Sequence, residues 1–143
     1  MKKRLALVTV ATGLVAFASE QRLWPAPAGA PTPPREVLPF LIVPDLLGSL
    51  AFGLGVAFLL FGYPLLQRAG QASGLTTATY LSIAWLLVNW WPHGNLHRVV
   101  GQNWGELAMI EWGFHVTMIV AVCVVAGFFV TTLGGRQARV GAA

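Results

Sequence analysis

Charge is what this chain has least of. Of 143 residues, nine are Lys or Arg and five are Asp or Glu, so only 10% are charged, where soluble domains average about 25%. A water-soluble surface built from so few charges is hard to reconcile with this length. Cysteine is nearly absent: Cys123 stands alone, which excludes an intrachain disulfide. No glycine-rich phosphate loop and no G-x-S-x-G elbow occurs, which removes the commonest nucleotide and hydrolase signatures. The net charge of +4 does not make a nucleic-acid binder, because no basic stripe interleaved with aromatics accompanies it.

What fills the chain is apolar. Hydrophobic residues make up 56% of it and the mean hydropathy is +0.68. The composition predicts an all-α integral membrane protein, a small bundle of three to four transmembrane helices with the lipid bilayer as solvent and partner.

Four apolar segments carry that expectation. Leu5–Ala18 follows Met1-Lys2-Lys3-Arg4 and ends in Ala16-Phe17-Ala18. Two readings compete: a cleaved secretory signal with an A-x-A site, or a retained anchor helix within residues 1–24. Residues 25–36 hold the run Pro25-Ala-Pro-Ala-Gly-Ala-Pro-Thr-Pro-Pro34, an external, extended linker lacking backbone donors. Residues 37–143 form the remaining three-helix unit. Its first segment, 38–66, is too long for one perpendicular span: either Asp45 caps a helix covering Leu46–Leu66, or one tilted helix carries a proline kink at Pro44. Gly48, Ala51 and Gly55 offer small residues for close helix packing. Segments 75–91 and 107–133 follow, the last stopped by Gly134-Gly135.

This order predicts a multi-pass cell-membrane protein with its carboxyl terminus cytoplasmic. Lys2, Lys3, Arg4, Arg68, Arg136 and Arg139 then lie inside, as the positive-inside rule requires. All five acids, all three histidines and the six tryptophans lie at the outer end. Tryptophan favours the membrane–water interface, so the aromatic belt is one-sided.

The candidate site is at that outer end. Glu111 and His115 are four residues apart and share a helix face. His93 and His97 have the same spacing, which presents two imidazoles as metal ligands do, although Pro92 and Gly94 weaken the case for a helix. The loop returns directly into the last helix, so His93, His97, Glu111 and His115 can converge, with Asp45 as an outlying candidate. Such a set suits zinc, copper or non-haem iron, or a haem b held by a loop histidine and His115. Asn89 and Glu106 are candidates for outer hydrogen bonds. Cys123, among valines, is expected to be inert.

The expected function is a non-catalytic accessory or structural membrane protein, in contact with other membrane subunits or with copies of itself. The first alternative is a metal- or haem-binding membrane protein. The second is a proton- or ion-coupled transporter subunit using Glu111, His115 and Asp45.

Overall fold

Proline and glycine punctuate this chain, and between them the backbone is helical. The computed structural model describes residues 2–101 and 103–140, and the described residues are α-helical throughout with short connections. The side chains of Arg136 and Arg139 lie outside the described residues. Helix α1 spans Lys2–Leu23 and α2 spans Leu38–Phe61, entered through a 3₁₀ turn at Arg35–Val37. A short α3 (Tyr63–Gln67) leads to α4 (Ser73–Val88) and α5 (Trp90–Val100). Helix α6 (Trp104–Ile110) passes through a π-helical turn, Glu111–Val116, into α7 (Thr117–Val140).

The long helices run up and down. Gly13 of α1 faces Ser49 and Leu50 of α2, while Thr9 faces Gly53, so α1 and α2 are antiparallel. Gly55 of α2 faces Leu87 and Val88, and the Tyr80 hydroxyl donates to the Leu59 carbonyl, which makes α4 antiparallel to α2. Trp85 reaches Thr117 and Gln71 reaches Thr132, joining α4 to an antiparallel α7. By main contacts the order is α1, α2, α4, α7, with α5 laid across α2.

Small residues occupy the interior. Ala16, Ser49, Ala57, Thr76, Thr79, Ala84 and Ala121 are buried, whereas Leu7, Leu14, Phe40, Leu60, Ile119 and Val130 point outward. Close backbone approach is what small interfacial side chains permit. Two stretches, Arg35–Phe61 and Trp104–Gly135, are long and apolar enough to cross a membrane. Helix α4 is apolar but shorter, about 24 Å at 1.5 Å per residue.

Several expectations are corrected. Asp45 caps nothing: α2 begins at Leu38 and continues through Pro44. Pro44 costs one internal hydrogen bond, which an otherwise continuous apolar helix tolerates. Gly134-Gly135 does not stop the last helix, which runs on to Val140. Of the small residues, Gly55 is at a contact and Gly48 faces open space, while the tightest crossing uses Gly13 and Gly53.

A Cβ on Gly53 would lie 2.2 Å from the Thr9 carbonyl oxygen, an overlap relieved only by moving α1. Gly53→Leu is expected to destabilise the fold by about 1–3 kcal/mol, the usual cost of overpacking. Gly48→Ala, at an open helical position, is expected to be neutral or to stabilise by up to about 1 kcal/mol. Thermal unfolding followed by circular dichroism in non-ionic detergent distinguishes them.

Candidate metal centre

Helix α5 forms because Pro92 sits in its first turn, where a missing N–H costs nothing. The helix ends at Gly101, whose φ of 61° is open to glycine at little cost. Between these bounds His93 and His97 fall on one face. Their Nε2 atoms are 3.0 Å apart. The doubt raised by Pro92 and Gly94 is resolved in favour of helix.

His115 arrives from the other direction. Asn103 accepts from the Glu106 N–H and starts α6, and the chain then takes the wide turn at Glu111–Val116. A π turn accommodates one extra residue, so everything beyond it is rotated by about 100° relative to an uninterrupted α-helix. Thr117 stabilises this turn. Its hydroxyl lies 2.6 Å from the Gly113 carbonyl and 3.0 Å from that of Phe114, and it accepts from the Trp85 indole N–H at 3.0 Å. Trp85 also stacks on Phe114, with ring centroids 5.9 Å apart. The bend is therefore clamped from α4.

The result is a cluster of three imidazoles. One ring nitrogen from each of His93, His97 and His115 lies within 4.8 Å of the other two. His93 meets His97 and His115 edge to face, at centroid distances of 4.7 and 4.6 Å. Two nitrogens on a tetrahedral ion at about 2.0 Å would be roughly 3.3 Å apart, close to the His93–His97 separation. Glu111 does not join the cluster directly. Its Oε2 is 2.5 Å from Nδ1 of His115, which leaves the Nε2 of His115 free to face an ion. A carboxylate behind a ligating histidine sets its tautomer and raises its basicity.

Burial, followed by the nearby imidazoles of His97 and His115, holds His93 below its ordinary pKa, against an opposing pull from Glu111. Helix α5 lies outside both stretches long enough to span a membrane.

Asp45 is placed elsewhere. Its Oδ2 is 3.3 Å from Arg98, and the same guanidinium donates to Glu20 at 2.6 Å and to the Asn95 side chain. Arg98 thus ties α1, α2 and α5 together, and α5 is the helix that carries His93 and His97. Glu20, only 3% exposed, gave no sign of this role in the sequence beyond being an acid that interrupts an apolar run. Asn89 is buried with no side-chain partner among the described residues, and its carbonyl accepts from the His93 N–H at 2.9 Å. The Glu106 side chain is exposed. Cys123 is exposed on the outward face of α7 rather than enclosed by valines.

Two outcomes are expected. Arg98→Met leaves Glu20 buried without its partner and should destabilise the protein by about 3–5 kcal/mol, whereas adding Glu20→Gln should recover much of the loss. Chemical unfolding of the single and double variants measures both. His93 is held below 6.5 only when folded, so the unfolded chain takes up that proton first. The metal-free protein should therefore lose stability as pH falls below about 6.5, and His93→Gln should flatten the dependence in an unfolding series between pH 8 and 5.

Compared with protein-family models, curated proteins and solved structures, the chain matches none.

Proposed function

We propose that this is a membrane-spanning metal-binding protein whose outer end holds a transition-metal ion on His93, His97 and His115. The observation that carries the reading is the convergence of three ring nitrogens from two separate helical elements within 4.8 Å. The i,i+4 spacing explains why His93 and His97 are neighbours. It does not explain why His115, eighteen residues further on and beyond a π turn, meets them.

The donor set favours zinc or copper(II). Three imidazoles with a fourth position open suit either ion. The two-histidine, one-carboxylate face typical of non-haem iron would need Glu111 as a ligand, and its oxygen is committed to His115. Haem b fits less well, because a porphyrin between two axial histidines needs a slot that rings in contact at 4.6–4.7 Å do not leave. Bound there, the ion would supply a charge at the membrane surface suited to metal handling or electron transfer. The residues hold and orient: Glu111 fixes the proton on Nδ1 of His115, while Phe114, 5.4 Å from His93, covers one side.

The membrane placement rests on two apolar stretches of spanning length and on large aliphatic side chains facing outward around a small-residue interior. The excess of basic residues away from the histidines, at Lys2, Lys3, Arg4, Arg68, Arg136 and Arg139, supports an outward-facing metal end in a multi-pass cell-membrane topology. In this topology α1 is retained as an anchor, packed on α2 through Gly13 and Gly53.

A non-catalytic accessory subunit without metal is the second reading. It is favoured by the 3.0 Å His93–His97 contact, which is also a good length for one imidazole donating to the other.

Elemental analysis of protein purified in zinc- and copper-replete medium separates the two. The metal reading predicts near one ion per chain, lost in His93→Ala and His115→Ala. Glu111→Gln is expected to weaken binding by about 10–100-fold without abolishing it. Protein that is metal-free under these conditions, or that keeps its metal in both histidine variants, favours the accessory reading.

A further inference from the structure

A second site lies on the other side of Arg98 and does not depend on the metal reading. The Pro-rich segment does not trail away from the helices. It folds back over the outer ends of α1, α2 and α5 and closes a cavity of about 610 Å³. That volume is within the range of small-molecule sites, about 300–1,000 Å³. Pro27, Pro31, Leu41 and Ile42 supply apolar wall, Trp24 an aromatic one, and Asp45 and Arg98 the charged floor.

The charge on that floor selects the ligand. Arg98 is already committed: one terminal nitrogen serves Asp45, and the other serves Glu20 and Asn95. Two carboxylates around one guanidinium leave one negative charge. Glu20 takes the short contact at 2.6 Å and is nearly enclosed, whereas Asp45 has the long one at 3.3 Å and is 38% exposed. Asp45 is therefore the carboxylate with capacity to spare, and it faces the cavity. Neither Arg22 nor Arg35 lines it. The indole nitrogen of Trp24 is shut away from solvent, so the surface Trp24 offers is ring carbon. An aromatic wall beside a carboxylate is the combination that holds an ammonium, through cation–π attraction and charge pairing. Three of the five guanidinium N–H donors are in use, and an anion reaching for the others would meet the net negative charge of the two carboxylates.

We propose that this cavity binds an organic ammonium carrying an apolar body, the ammonium at Asp45 and Trp24 and the body against the prolines and α2. The ammonium can belong to a free amphiphilic amine or to a choline- or ethanolamine-type lipid headgroup.

The test is isothermal titration of the full-length protein in dodecyl maltoside with hexyltrimethylammonium, beside hexyl sulfate. Saturable binding of the cation and none of the sulfate is expected. Asp45→Asn should weaken cation binding about tenfold or more, and circular dichroism should show its helices intact. Trp24→Leu, which keeps the carboxylate and the apolar wall, should also weaken it. Loss of the signal on adding phosphatidylcholine would assign the site to a lipid headgroup, and persistence would assign it to a free amine. Equal cation binding by the wild type and a folded Asp45→Asn variant, or equal binding of hexyl sulfate, would overturn the proposal. Metal content of the wild type is read separately by elemental analysis, so failure here leaves the histidine cluster standing.

Discussion

One guanidinium holds the histidine-bearing end of this molecule together. Arg98 receives a carboxylate from α1 and another from α2 while sitting on α5. A charge so placed has few alternatives, since a buried Glu20 without a cation is costly and an Arg98 without acids would have to seek water. The ion network therefore fixes the position of α5 against two neighbours. Because His97 is the adjacent residue and His93 lies one turn earlier, the same network fixes two imidazoles. The third is brought in by the π turn, which Trp85 of α4 holds through the Thr117 hydroxyl at the start of α7. Positioning of the cluster thus depends on polar contacts from every long helix of the fold, although only α5 and the π turn supply its nitrogens.

Elsewhere the interior is sparing in bulk, and its buried side chains include the polar Ser49, Thr76, Thr79 and Asn89. Glycine, alanine, serine and threonine line the crossings, and the large aliphatic residues face away. Hydrophobic burial in a core of this kind is slight, so backbone proximity and the Arg98 ion network determine which helices meet. Charge is rare, and while Lys2, Lys3, Arg4 and Arg68 lie at one end of the helices, the acids and histidines gather at the other. Each charged residue there is either committed to another, as in the Arg98 network and the Glu111–His115 pair, or exposed at a helix terminus.

Much of this was legible in the residues. Apolar runs between proline and glycine clusters marked the helices, and the i,i+4 spacings identified both halves of the histidine cluster. The short connection between α5 and α6 implies that those halves meet. Four things were not legible. Asp45 beside Pro44 has the pattern of a cap, yet apolar continuity from Leu38 outweighs one lost hydrogen bond, and α2 runs straight through. The Gly134-Gly135 pair costs only about 1 kcal/mol of helix propensity per glycine, and the helix continues to Val140. The π turn has no simple periodic signature, because a one-residue register shift is invisible in an apolar run where every face is hydrophobic. Arg98 and Glu20 were visible as charges, but 78 residues of separation gave no hint that they pair.

The central claim is that three imidazoles from two elements share one ion. X-ray absorption at the zinc or copper edge of the loaded protein tests it most directly. The account predicts a first shell containing three nitrogen scatterers near 2.0 Å with the outer-shell pattern of imidazole rings, and one imidazole fewer in His115→Ala. A shell of oxygen scatterers without imidazole features, unchanged in that variant, would contradict it.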